Sequence, residues 1–180
     1  MVKYDKYVYF WHQIIMSEYL LKIGSKLRSF PFIRYSKYQI KDIDEIILSH
    51  LNLRDLGKLR DRFEGQSFYN KKSRLILAYL GVCKHLNIVP IDIKEVDLNL
   101  FVPYVNYEGN RYKIIVSDFG EFPIVEKHAP EPFMFVIARS NTEFSIVGYC
   151  SEKELKNSKN FKPHSTGKVI YKSIETLTSI

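Results

Sequence analysis

The chain has 180 residues, with 27 Lys+Arg against 20 Asp+Glu and a formal net charge of +7. That length fits one compact domain that needs no disulfide or metal staple. Its two cysteines, Cys83 and Cys150, make neither a zinc pattern nor a disulfide framework. With 46% apolar residues the composition excludes a mainly disordered chain. No apolar run approaches the ~18–20 residues of a membrane span.

Residues 5–23 predict a helix, with Tyr7, Phe10, Trp11, Ile14 and Leu21 at helical spacing and Gly24 as its stop. Phe30-Pro31-Phe32 predicts an extended break, because a residue before proline avoids the helical region. A short helix is expected over 42–50, started by Asp42 or Asp44, with Ile43, Ile46 and Ile47 on one face. Another is expected over 53–63, with Leu53, Leu56, Leu59 and Phe63 inward and Arg54 to Arg62 supplying a solvated, salt-bridged face. Glu64-Gly65-Gln66-Ser67 then predicts a turn. The clearest helix spans 70–86, with Leu75, Tyr79, Val82, Cys83 and Leu86 on one stripe.

After Pro90 the hydrophobic period changes. Strands are expected at 98–107, with Pro103 marking an edge or bulge, and at 111–119 beyond the hairpin signal Glu108-Gly109-Asn110. Residues 120–132 predict a loop with an extended piece at 123–125. Residues 133–139 are apolar without alternation, which predicts a central strand covered on both faces. A strand at 144–149, a short helix at 152–157 capped by Ser151 with Glu154, and a last strand at 168–171 complete the order. The fold class is α+β: a mixed sheet of four to five strands with flanking helices. A helical N-terminal segment over 1–65 precedes an α/β core over 66–180.

No GxGxxG or GxxxxGK[ST] phosphate loop is present; His164 to Lys168 holds a Gly-Lys pair without the first glycine or the preceding strand. The five histidines make no HxxxH or HExxH pair. Cys83 on its apolar stripe reads as a small hydrophobe. Asp97, Asp118 and Glu121 lie near strand ends. Asp118 and Glu121, flanking Gly120, fit either a pair of oxygen ligands for Mg²⁺ or turn residues that cap backbone amides. Lys71, Lys72 and Arg74 open the helix expected over 70–86, a phosphate site or a solvated turn. Lys153, Lys156, Lys159 and Lys162 recur every third residue, a pattern expected of a solvated face.

The aromatic load is uneven. Ten of the 26 aromatics fall in residues 1–38, together with seven Lys/Arg and only two acids. There Lys22, Lys26, Arg28, Arg34 and Lys37 alternate with Phe30, Phe32, Tyr35 and Tyr38. Aromatics beside cations stack bases and neutralise phosphates; equally, so many close together fit burial in the core or in a homodimer.

From residue 70 to 175 the chain resembles the restriction-endonuclease-like, PD-(D/E)XK superfamily. The residues that carry the likeness are Phe133-Met-Phe-Val-Ile-Ala-Arg, then Phe144-Ser-Ile-Val-Gly-Tyr-Cys, then Ser151-Glu-Lys-Glu-Leu. The resemblance implies a helix–strand–strand–strand–helix–strand core and a Mg²⁺ centre built from an Asp and an acid-x-Lys on consecutive strands. In this chain Asn106 falls near the Asp, Ile115 takes the place of the acid and Ser117 that of the lysine. An Asn and an Ile do not neutralise a divalent ion, so metal-assisted hydrolysis loses its centre. The leading expectation is a nuclease-like, nucleic-acid-binding protein without an intact metal site. Two alternatives stand beside it: an active Mg²⁺-dependent endonuclease using Asp97, Asp118 and Glu121, and a homodimeric interaction subunit. The opening Met-Val-Lys-Tyr-Asp-Lys lacks the apolar stretch of a signal peptide, so a cytoplasmic location with no membrane partner is expected.

Overall fold

The computed structural model describes residues 16, 18–59, 63–126, 131–164 and 168–180. Most of the helix expected over 5–23, the charged residues Arg60, Asp61 and Arg62, and His12 and His128 lie outside the described residues. The rest folds as α+β around a mixed five-stranded sheet.

The first described turns end in a π-helical turn, Leu20–Gly24. Strand β1 (Phe32–Arg34) follows where the Pro31 break was expected. Helix α1 (Lys37–His50) starts five residues before the expected 42. Its cap is Ser36 rather than Asp42 or Asp44: the Ser36 hydroxyl accepts from the Gln39 amide while the Gln39 side chain accepts from the Ser36 amide. Ile43, Ile47 and Leu48 face inward from it.

Residues 56–59 form a 3₁₀ turn where a helix over 53–63 was expected. Helix α2 (Phe63–His85) then runs straight through the turn expected at 64–67. Gly65 is a helical residue, and Lys71, Lys72 and Arg74 sit in the middle of the helix, not at its N-terminus. Both readings offered for them, a phosphate site and a solvated turn, placed them at a helix start, where they do not lie. Asn87, at φ 57°, stops α2, with the Ile88 amide reaching back to the Cys83 carbonyl at 2.8 Å.

Strands β2 (Tyr104–Tyr107) and β3 (Asn110–Asp118) form the expected hairpin around Glu108 and Gly109, both at positive φ. The first is shorter than expected: 98–100 is a turn and Pro103 precedes the strand. The two-residue β4 (Ile124–Val125) comes next, then β5 (Phe133–Ala138), in which every residue is buried. Strand β6 (Glu143–Cys150) returns antiparallel. Helix α3 (Glu152–Leu155), with its Ser151/Glu154 capping box, β7 (Phe161–Pro163) and β8 (Val169–Tyr171) end the order.

The five strands lie in the order β1-β6-β5-β3-β2. Strand β5 is central, as its unalternating apolar sequence requires, and β3 and β5 are parallel neighbours. In β6 the register shifts: Phe135 pairs with Gly148 but Val136 with Ile146, so Val147 is an extra, bulged residue. On one face α1 and α2 cover a core that includes Met134, Val136, Ala138, Phe144 and Ile146. On the other, the π-helical turn and a small sheet ordered β4-β8-β7 cover Phe133, Phe135, Ile137, Val147 and Cys150. Since β1 pairs with β6 and α1 packs in the first core, residues 32–50 share one body with the strands beyond 100.

Candidate functional site

Ser67, Asn70, Lys71, Arg74 and Leu75 recur at i, i+3, i+4, i+7 and i+8, so they form one stripe of α2. The stripe overhangs the end of β3, and between them lies a cleft of about 410 Å³ that Val116, Ser117, Asp118 and Glu121 close. Strand alternation aims Asp118 at the helix, on the same side as Tyr112, Ile114 and Val116. Arg74 Nη1 donates to both Asp118 oxygens, at 2.5 and 2.7 Å. Its Nε is buried and has no hydrogen-bond partner among the described residues.

Glu121 reaches the cleft because the chain reverses at 118–121. Its amide donates to the Asp118 carbonyl at 3.0 Å, with Gly120 at φ +100° in the position that demands a glycine. A Cβ on Gly120 would also stand 2.6 Å from Met16 Cε. The sequence-derived residues Lys71, Arg74, Asp118 and Glu121 thus meet at one place. Of the motif positions named by the resemblance, Ser117 lines this cleft, and Asn106 and Ile115 lie elsewhere. Ile115 packs in the opposite core, and the Ser117 hydroxyl donates to the Phe122 carbonyl at 3.4 Å. Asn106 pairs with Arg111, which lies seven residues up β3 from Asp118, on the order of 23 Å away at about 3.3 Å per residue.

This donor set does not fit Mg²⁺. Arg74 occupies both oxygens of Asp118, and Lys71 lines the same cleft. Mg²⁺ takes an octahedral set of oxygens and is held through one or two carboxylates, and here one of the two available is already engaged by a guanidinium. Among the described residues, no group of three or more His, Cys, Asp or Glu side chains comes together for a metal.

Asp97 lies elsewhere. Its carboxylate accepts from the Asn99 amide at 2.8 Å and stands 4.0 Å from His50 Nε2. His50 stacks flat on Phe68, and the Lys72 ammonium lies 5.6 Å from the same ring. Lys72 is only 7% exposed, and burial, then the Lys71 charge, lower its pKa. So Lys72 turns away from the cleft that its neighbour Lys71 lines.

The N-terminal cations also separate. Lys22 is consumed structurally: it donates to the Lys172 carbonyl at 2.8 Å and to Glu175 at 3.1 Å, and it lies 3.8 Å from Glu18. Lys26 lines a different cavity, of about 450 Å³, with Phe30, Pro31 and Val147. Arg28 and Lys37 are exposed. Arg34 pairs with Glu143 at 2.5 Å and sits 5.7 Å from the centre of the Phe32 ring. Arg139, which sequence reasoning passed over, lies 4.9 Å from that ring and donates to the Leu27 carbonyl at 2.5 Å. Of the neighbouring aromatics, Tyr35 is buried and donates to the Leu77 carbonyl at 2.6 Å. Tyr19 is buried too, and burial pushes its hydroxyl up to about 12. Phe32 and Tyr38 are exposed, at 43% and 83%. Both cysteines are buried, and burial raises both thiols, Cys150 to about 12, so neither is a thiolate at neutral pH.

Two of these groups lie along the same end of the sheet. Asp118, Ala138, Phe144 and Ile33 form a single register row across β3, β5, β6 and β1. The cleft lies at one end of that row, on the α2 face. Arg139, Phe32 and Arg34 follow at the other, on the opposite face. The signals for Ser67, Asn70 and Arg139 were present in the sequence: a helical stripe hidden by reading Gly65 as a turn, and the cation that ends an otherwise apolar strand.

No protein-family model, curated protein or solved structure matches the chain. No helix among the described residues is long and apolar enough to cross a membrane.

Proposed function

We propose that the protein binds nucleic acid, gripping its phosphate backbone at the carboxyl end of β3 and β5, and that it does so without a metal-dependent nuclease centre. The carrying observation is the gathering of cations from separate elements at that end: Lys71 and Arg74 from α2, Arg34 from β1, Lys37 at the start of α1 and Arg139 just past β5. Asp118 and Glu143 orient two of the guanidiniums. Lys37 and Lys71 are exposed and have no carboxylate partner among the described residues, so they are open to phosphate oxygens, while Arg139 is held in place by the Leu27 carbonyl. The net charge of +7 and the resemblance to PD-(D/E)XK proteins favour the same class of partner.

The test is a filter-binding titration with a labelled 20-nucleotide DNA across a salt series. Binding should weaken steeply as salt rises, because each phosphate contact releases a counterion. Lys37→Ala and Lys71→Ala should each lower the salt slope by about 1 without changing sequence preference. Absence of binding at low salt rejects the reading. The same DNA incubated with Mg²⁺ should stay intact; cleavage that Asp118→Ala abolishes would establish the alternative, an active nuclease.

A further inference from the structure

Phe32 is an exposed aromatic ring with the Arg34 and Arg139 guanidiniums over it, and both guanidiniums are anchored. Arg34 is tied to Glu143, and Arg139 is tied to the Leu27 carbonyl. Pairing of β1 with β6 holds the ring itself on the sheet's edge. A ring on a rigid strand, flanked by fixed cations, is a platform for a flat π-system attached to an anion, which describes a nucleobase on its phosphate.

The location restricts the kind of nucleic acid. The cleft and the Phe32 platform lie at the same end of the sheet but on opposite faces. Three strand spacings separate them, about 14 Å at roughly 4.8 Å per strand. A ligand that touches both must turn over the end of the sheet, past the 118–121 turn. A duplex is stiff over roughly 150 base pairs and keeps its base faces stacked inside. A single strand follows such an edge and presents unpaired bases. At about 3.4 Å per nucleotide, a stacked strand covers the lateral part of that path in about four nucleotides, and passing from one face to the other takes more.

We infer that the ligand is single-stranded nucleic acid, with one unpaired base stacked against the cluster of Phe32, Arg34 and Arg139 while phosphates a few nucleotides away occupy the Lys71–Arg74 cleft. This rests on the nucleic-acid reading above and adds to it the strandedness and the stacking residue.

Fluorescence anisotropy with a labelled 12-nucleotide oligothymidylate, alone and as its duplex with oligoadenylate, tests it in low salt. The single strand should bind more tightly than the duplex. Phe32→Ala should weaken single-strand binding about tenfold and leave duplex binding unchanged, and Phe32→Trp should restore it. Thermal melts of both variants confirm that they fold; Phe32→Trp keeps the test valid if Phe32→Ala does not. Single-strand affinity unchanged in Phe32→Ala, or a duplex bound as tightly as the single strand, overturns this inference and leaves the nucleic-acid reading standing. Failure of both probes to bind overturns the two together.

Discussion

On one face of the central sheet, Met134, Val136 and Ala138 meet helices of 14 and 23 residues. On the other, Phe133, Phe135 and Ile137 meet a five-residue turn and strands of two or three residues. Long helices satisfy their own backbone, so apolar contact suffices to hold them. Short pieces do not, and this face is tied down by charges instead. Glu18 pairs with Lys172, Lys22 and Lys162; Lys22 also reaches Glu175; and Lys168 pairs with Glu126 at 2.6 Å. The difference teaches that apolar burial makes both cores, while the cover of the second carries more of the ion pairs; on the first, Arg74–Asp118 is the pair that ties α2 to β3 among the described residues.

The sharpest way to break the comparison uses neighbours in β5. Phe135→Ala empties the second core and should cost about 3–5 kcal/mol, against about 2–5 kcal/mol for Met134→Ala in the first. Urea unfolding at neutral pH measures both, and a smaller loss for Phe135→Ala would mean that the second face packs loosely. Next comes Gly148, at φ +150°, where an added Cβ would lie 2.4 Å from the Thr178 carbonyl oxygen. Gly148→Ala should lose roughly 1–3 kcal/mol and speed amide exchange at Thr178, whose backbone pairs with Tyr149.

The charge dependence follows from Glu18. Burial pushes its carboxyl up, but the Lys172 bond and the Lys172, Lys162 and Lys22 charges outweigh it and leave the pKa below the ordinary 4.5. A lowered carboxylate stabilises the fold above its unfolded pKa, and that contribution disappears as pH falls through the folded value. Glu18→Gln should therefore be less stable than the parent at pH 7, with the gap narrowing below pH ~4.5. A gap constant with pH would show that the Glu18 charge is not what holds this face. The smallest effect belongs to Lys156–Glu152, an exposed i, i+4 pair at 3.0 Å. Lys156→Ala should change stability by less than about 0.5 kcal/mol in the same unfolding assay.

Local signals carried much of the fold. The unbroken apolar run of β5 marks a strand buried on both faces, and Ser151 with Glu154 marks the start of α3, because each is a pattern complete within a few residues. Long-range partners left no such mark. Arg74 and Asp118 are 44 positions apart, and nothing near either one says that they pair. In the small sheet the pieces expected at 123–125 and 168–171 are β4 and β8, but β7 escaped because a strand of three residues is too short to display a period. The true start of α2 escaped because Gly65 resembles a breaker, and its helical neighbours override it. The same misreading split the cleft stripe: Lys71 and Arg74 were visible as charge, but their alignment with Ser67 and Asn70 depends on the helix continuing through 64–67.

The bulge at Val147 bears on how this sheet tolerates changes in length. In a regular strand, losing one residue carries every later side chain to the opposite face. Residue 147 is surplus to the pleat: Phe135 already skips from Gly148 to Ile146 across it. Loss of a residue at that point leaves Tyr149 opposite Met134 and Cys150 opposite Phe133, each on its present side. Loss of Ser145 instead would exchange the inward and outward residues at the strand's start. Strand β6 therefore has a joint at which a residue can be lost without exchanging its two faces, the change to the second core being the Val147 side chain itself.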